Sequence, residues 1–193
     1  DATSRSDLGG SITLERSGGN TLAFSHVKLA GNVTVENAGK DNPNQFTMED
    51  SDIAGKLTMN GGIFNVTGTM NTATEASISG DTQMTVLDGS IFKSLTTTVN
   101  ADAVLNIYGT MEGSVRISGG SVHMGNDRDA GTLTGDLMIS EGIFHYVRGS
   151  VGGSLVLSGT SGNSPAQMNV EGIWNADNHL EMLGYGQISI EKE

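Results

Sequence analysis

His123 and His145 form the most specific pair of chemistry-bearing residues in the chain, because each lies between two apolar residues in a strand-like alternation. If their strands lie in adjacent coils, the two outward rings stack within about 5 Å of one another. A metal or catalytic site needs further ligands. The neighbouring outward positions hold Asn106 and Asn169. We therefore favour a polar surface ladder over a ligand site at this pair.

The densest acidic cluster is Glu49-Asp50-Ser51-Asp52, and Asp127-Arg128-Asp129 occupies the equivalent corner four repeats later. Four repeats of a stacked strand separate the clusters by roughly 19 Å. Paired carboxylates for glycoside hydrolysis lie within about 10 Å of one another. The bunched oxygens at residues 49–52 are compatible with a calcium site, but a solvated acidic corner is the favoured interpretation.

Nucleophilic catalysis finds no support in the sequence. The chain has no Cys, and no Ser, His and acid can be assigned to common coils as a triad requires. We expect no enzyme activity, no metal and no cofactor. A polysaccharide-active enzyme stays a lesser alternative, since such an enzyme can assemble its residues from neighbouring coils.

The elements that position these residues come from a repeated pattern of alternating apolar residues around a Gly, as in Met111-Glu-Gly-Ser-Val-Arg-Ile117. Each repeat contains two strands with two inward residues apiece. The inward pairs of the first strand are Ile12/Leu14, Val33/Val35, Leu57/Met59, Ala76/Ile78, Leu95/Thr97, Val115/Ile117, Leu137/Ile139, Leu155/Leu157 and Leu180/Met182. Those of the second strand are Leu22/Phe24, Phe46/Met48, Phe64/Val66, Met84/Val86, Leu105/Ile107, Val122/Met124, Phe144/Tyr146, Met168/Val170 and Ile188/Ile190.

A third inward position precedes most repeats, at Leu8, Leu29, Ile53, Ile91, Met111, Leu133 and Val151. The repeats recur about every 21 residues, which is typical of a β-solenoid. We predict an all-β fold, a right-handed parallel β-helix of about nine coils with a three-sided cross-section, forming a single domain over residues 1–193. Thr72 and Ala176 replace the apolar residue in the fourth and ninth coils, where we expect bulges. Insertions at 37–44, 125–130 and 158–165 are expected at corners.

The composition limits the classes of molecule that the chain is expected to bind. The chain of 193 residues has 22 acidic and 10 basic residues and a net charge of -12, which opposes nucleic acid and anionic lipid. Without Cys there are no disulfides, and no run of about 18 apolar residues is present. We expect a soluble segment that does not insert into a membrane.

The outward column of the first strand changes character along the chain. It is predicted to read Thr13, Thr34, Thr58, Ser77, Thr96, Arg116, Met138, Val156 and Glu181. A threonine ladder is compatible with ice binding, but Thr also simply favours strands. The change to Met138 and Val156, with Trp174 and Tyr185 expected to be exposed nearby, favours a contact patch. Packing under the corner at 158–165 is the alternative explanation.

These Gly-, Ser-, Thr- and Asn-rich coils, without Cys and with irregular corners, resemble the β-helical passenger of bacterial autotransporters of the adhesin type. The resemblance implies a right-handed parallel β-helix, export to the cell surface or medium, and adhesion or self-association. Stretches such as Gly131-Thr-Leu-Thr-Gly-Asp-Leu-Met-Ile139 also resemble bactofilins, which are cytosolic polymers of short solenoids.

We expect a secreted or surface adhesin segment that presents one lateral face to a host surface molecule or to another copy of itself. The candidate binding residues are Thr96, Arg116, Met138 and Val156 on one face, or His123 and His145 on the other. The alternative is a structural polymer that assembles end to end through the coils at Ile12 and Ile188.

Overall fold

The computed structural model describes residues 5–15, 19–36, 41–69, 71–174 and 179–191. The described residues form strands and no helix, so none of them forms a helix that could cross a membrane. The strands are β1 (Ser6–Leu8), β2 (Ile12–Leu14), β3 (Thr21–Ser25), β4 (Val27–Leu29), β5 (Val33–Glu36), β6 (Gln45–Glu49), β7 (Asp52–Thr67), β8 (Asn71–Val86), β9 (Ile91–Asn100), β10 (Val104–Ile107), β11 (Thr110–Met124), β12 (Gly131–Leu133), β13 (Leu137–Tyr146), β14 (Gly149–Val151), β15 (Leu155–Gly159), β16 (Ala166–Val170), β17 (Leu180–Gly184) and β18 (Gly186–Ile190).

All pairings between these strands are parallel, and each strand pairs with its equivalents one repeat before and after. The chain is therefore a β-solenoid, as the repeat predicts, and the nine stacked strands of its longest layers span about eight turns. We call the layers equivalent to β2, β3 and β1 side 1, side 2 and side 3, and we number the nine stacked copies coil 1 to coil 9. The right-handed sense stays a prediction.

Side 2 follows the predicted register in every coil. All nine inward pairs, from Leu22/Phe24 in coil 1 to Ile188/Ile190 in coil 9, stack on one another. Phe46 stacks on Phe64 with ring centroids 4.8 Å apart, and Phe24 meets Phe46 edge to face at 5.3 Å. The aromatic rings of coils 1 to 3 thus pack on one another in the core behind side 2.

Side 1 follows the prediction in eight coils and departs from it in coil 5. The predicted inward pair there is Leu95 and Thr97. Thr97 faces inward and stacks between Ala76 and Val115, but the prediction for Leu95 is wrong, because Val99 is the other inward residue. Leu95 is 72% exposed. Thr97 is fully buried, and its hydroxyl lies 2.8 Å from that of Ser94.

The length of the corner before side 1 explains the error. Four residues separate the inward Phe92 from Thr97, whereas three separate Met111 from Val115 in the next coil. Ser94 and Leu95 together oppose Gly113, which makes a β-bulge. Gly113 has φ +112°, and a Cβ there would lie 1.7 Å from the Ser94 carbonyl oxygen. Only glycine fits beneath the extra residue.

Side 3 contains two further corrections. In coil 4 Ala73 stacks on Ile53, so Thr72 is not the inward residue. In coil 5 Phe92, not Ile91, is buried and pairs with Asn71 and Met111. Leu8, Leu29, Ile53, Met111, Leu133 and Val151 face inward as predicted.

Coil 4 is irregular as expected. The pairing of side 3 shifts between Ile53 and Lys56. Asn71 is buried, and its amide nitrogen donates to the carbonyl oxygens of Thr67, Gly68 and Ile91. The corresponding prediction for Ala176 lies outside the described residues. The insertions at 125–130 and 158–165, and the described part of 37–44, lie at corners between strands, as predicted.

Candidate functional site

Two columns of outward residues on side 2 run the length of the solenoid, and Ser25, Glu49 and Thr67 lie beside them in coils 1 to 3. The pairing places eighteen side chains in the two long columns: Thr21, Ala23, Gln45, Thr47, Ile63, Asn65, Gln83, Thr85, Val104, Asn106, Ser121, His123, Ile143, His145, Gln167, Asn169, Gln187 and Ser189. None carries a charge when the two histidines are neutral. We call this surface the neutral face. On a chain with a net charge of -12, it concentrates amides and hydroxyls where acidic residues are absent.

His123 and His145 lie in adjacent coils on this face, as predicted. Their rings stack with centroids 4.6 Å apart and planes inclined by 22°. Burial, and then the nearby His145, lower the pKa of His123 below its ordinary value. The Asn169 side-chain amide approaches Nδ1 of His145 at 3.5 Å. The pair is therefore part of a polar ladder in which each ring is held by its neighbours along the axis.

This stacking does not suit chelation of one metal ion. The lone pairs of an imidazole lie in the ring plane, so two nearly parallel rings direct them side by side instead of toward one point. In the part of the chain that the structure describes, no three His, Cys, Asp or Glu residues are grouped to hold a metal ion.

The outward column of side 1 reads Thr13, Thr34, Thr58, Ser77, Thr98, Arg116, Met138, Val156 and Glu181. The prediction that Thr96 belongs to this column is wrong, because the longer corner of coil 5 puts Thr98 in that place. Thr96 lies one position nearer the corner and pairs with Ser114. The other predicted members, Arg116, Met138 and Val156, are in adjacent coils as expected.

Side 1 is more charged than the neutral face. Arg116 is exposed, and its Nη2 lies 3.9 Å from the sulfur of Met138. Lys56 and Glu75 form an ion pair of 2.6 Å across coils 3 and 4. A groove of about 300 Å³ opens beside this pair, where Ala76 and Ser77 provide small side chains.

The expected aromatic contribution to a contact patch on side 1 is only partly present. Tyr185 is 56% exposed beside the corner at 158–165, as predicted. The prediction that Trp174 is exposed is wrong. Its ring packs edge to face on Tyr146 at 4.6 Å and on Phe144 at 6.4 Å. Trp174 thus extends the core near coil 8.

At the acidic corner, the carboxylates of Glu49, Asp50 and Asp52 each accept a hydrogen bond from a different donor. Ser25 donates to Glu49 at 2.7 Å, the Thr69 amide donates to Asp50 at 2.7 Å, and Thr72 donates to Asp52. Each carboxylate therefore joins its own coil to a neighbouring coil through a hydrogen bond. This arrangement favours the structural interpretation over a calcium site.

Sequence reasoning missed a cluster at the same corner. The Ser25 hydroxyl lies 3.0 Å from Nδ1 of His26, and Nε2 of His26 lies 3.9 Å from Asp50. The register of the repeat could have revealed this cluster, because it places Ser25 and His26 next to positions 49 and 50 of the following coil. A serine nucleophile must pass its proton to the histidine, but the hydroxyl of Ser25 donates to Glu49. The cluster therefore does not have the hydrogen bonding of an active triad.

Sequence reasoning also missed a groove of about 700 Å³ at the corner between side 2 and side 3. Its lining includes Asn126 and Asp127 of the insertion, Arg148 and Glu171 from the corners of the following coils, and Glu191. Three carboxylates and one guanidinium line the groove, which is therefore mildly acidic.

Comparisons with models of protein families, with curated proteins and with solved structures find no match to this chain. The β-solenoid fold therefore stands on the pairing of the strands themselves.

Proposed function

We propose that the chain is a non-enzymatic adhesion and self-association module of a secreted or cell-surface bacterial protein, and that it binds through a lateral face of the solenoid. The observation that carries this proposal is the neutral face. Protein interfaces are depleted of charged residues at their centres. Eighteen outward residues in a chain of net charge -12 supply such a depleted surface over all nine coils.

The resemblance of the coils to autotransporter passengers supports the same proposal, because that class of solenoid is exported and acts in adhesion. A host surface molecule and another copy of the chain are both candidate partners. Arg116, Met138 and Val156 on side 1 form a second candidate contact surface, with one cation followed by two apolar side chains in adjacent coils.

Beads coated with the chain test the proposal, scored at pH 7.5 for clumping and for adhesion to epithelial cell monolayers. The variant Gln83→Glu/Gln167→Glu adds two charges to the neutral face without changing side-chain shape. Asn60→Asp/Asn163→Asp is the matched control, because it adds two charges at exposed positions outside the neutral face. We expect the first variant to lose binding and the control to retain it. Equal binding by both variants, or no binding by the unmodified chain, contradicts the proposal.

A second candidate function is an end-to-end structural polymer, which the resemblance of residues 131–139 to bactofilins supports. In such a polymer the strands of coil 9 would pair with those of a further copy, and Met182 and Ile190 would pack against it. Electron microscopy of the purified chain tests this function. Long filaments that Met182→Glu/Ile190→Glu abolishes would establish the polymer and replace the adhesion proposal.

A further inference from the structure

We propose that two copies of the chain pair through their neutral faces and that the stacked pair of His123 and His145 makes this pairing sensitive to acid. The copies associate at neutral pH and separate as the imidazoles become protonated. This inference rests on the proposed function, of which it names the partner and the regulation.

The charge distribution favours a second copy as the occupant of the neutral face. Two chains of net charge -12 repel one another wherever acidic surfaces meet. They approach at the lowest cost through the surface that has no charge. Amides and hydroxyls carry donors and acceptors together, so a face composed of them is complementary to a copy of itself.

The size of the face is sufficient for a specific contact. Nine coils at about 4.8 Å and the four residues of each strand that carry the two columns at about 3.3 Å give a surface of roughly 40 by 13 Å, or about 520 Å² per copy. Two copies then bury about 1,040 Å², which passes the roughly 1,000 Å² expected of a biological interface. The regular stacking of side 2 keeps this surface even from coil 1 to coil 9.

The histidine pair supplies the switch. At neutral pH each imidazole offers one donor and one acceptor and behaves like the amides beside it. Protonation of both rings places two positive charges 4.6 Å apart on each copy, and burying unpaired charges in an interface is costly. The lowered pKa of His123 has the same physical origin, burial and then the neighbouring His145.

No carboxylate on the neutral face offsets these charges. The side chains that adjoin the two rings along and across the columns are Asn106, Ser121, Ile143, Gln167 and Asn169. The ionisable residues at the corners flanking these strands are Asp102, Tyr108, Asp127, Arg128, Asp129, Glu141, Arg148 and Glu171. None of these corner residues forms an ion pair with either histidine among the described contacts.

Proton linkage gives the direction in which pH changes the association of the two copies. The paired state binds fewer protons than the separate copies, so acidification favours separation. Each imidazolium excluded from the interface weakens association by up to about tenfold per pH unit below its pKa. The dissociation constant is therefore expected to rise by more than about tenfold between pH 7.5 and 5.5.

Sedimentation equilibrium of the full chain at pH 7.5 and pH 5.5 tests the inference. The variant His123→Asn/His145→Asn keeps the amide chemistry of Asn106 and Asn169 in the same column. The control His26→Asn/His179→Asn changes the two histidines that lie outside the neutral face. We expect the unmodified chain and the control to pair only at pH 7.5, and the first variant to pair at both values.

Two results overturn the inference in distinguishable ways. If the unmodified chain stays paired at pH 5.5, acid control by the histidines is wrong, while lateral self-association stands. If it is monomeric at both pH values, the second copy is not the partner. Adhesion of coated beads to cells at pH 7.5 then decides independently whether the proposed function survives. Circular dichroism at both pH values verifies that each variant retains its β-structure.

Discussion

Side 1 and side 2 use the same alternation of inward and outward residues, but they differ in register and in charge. Side 2 keeps one register from Leu22 to Ile190 and bears no charge on its outward columns. Side 1 follows corners of unequal length and carries Lys56, Glu75, Arg116 and Glu181 at its surface. Corners of unequal length precede both sides, but side 2 keeps its register in every coil and the two columns of the neutral face stay uncharged. This contrast is the basis for assigning recognition to side 2.

The largest effect is expected at the bulge that precedes side 1. In Gly113→Ala the new Cβ would lie 1.7 Å from the Ser94 carbonyl oxygen, at φ +112°. We expect a loss of more than about 3 kcal/mol in the free energy of unfolding, since backbone must move. Gly10→Ala is the control, because φ there is +84° but no atom lies within 4 Å; its cost should be about 1 kcal/mol. Urea denaturation measures both, and similar losses would contradict the bulge.

Substitutions of two leucines in coil 5 allow side 1 and side 2 to be compared directly. Leu105 on side 2 is fully buried, whereas Leu95 before side 1 is 72% exposed. Leu105→Ala should lower the free energy of unfolding by about 2–5 kcal/mol through lost burial and a cavity. Leu95→Ala should change it by no more than about 0.5 kcal/mol. Urea denaturation of both variants checks the register, and a large effect at Leu95 would restore the pairing expected from the apolar pattern.

A smaller effect is expected at the hydrogen bond between Ser94 and Thr97. Ser94→Ala removes the partner of a buried hydroxyl and should cost about 1–2 kcal/mol. Adding Thr97→Val should recover much of this loss, because it replaces the second polar group with an apolar group of similar shape. Unfolding of the two single variants and the double variant gives the coupling energy. Simple additivity would show that the two hydroxyls do not depend on each other.

The smallest effect is expected in the dependence of stability on pH. The pKa of His123 is lowered in the folded chain, so the unfolded chain binds a proton more readily. Stability should therefore be complete above about pH 6.5, the ordinary pKa of histidine, and should fall as pH decreases through the lowered value. Thermal unfolding between pH 7.5 and 5 should show a smaller decline in His123→Asn. An identical decline would assign the pH dependence to other groups.

Much of the fold was predictable because burial on a solenoid repeats at a fixed interval. The inward pairs of side 2 alternate with mostly polar residues, and all nine were identified from the sequence. The stacking of His123 on His145 followed from the same register. The errors at Ile91, Leu95 and Thr96 arose because an apolar leucine was taken as inward where a buried threonine stands. Trp174 was misplaced because packing across a corner leaves no periodic signal.

The sequence by itself determined the repeat, the inward positions of most coils and the outward histidines, since each depends on alternation within a short segment. Tertiary structure decided the rest. The length of a corner is fixed by the coils above and below it, so only stacking showed that Thr98 follows Ser77 on side 1. The neutral face was also decided by stacking, because it joins residues about twenty positions apart into one continuous surface.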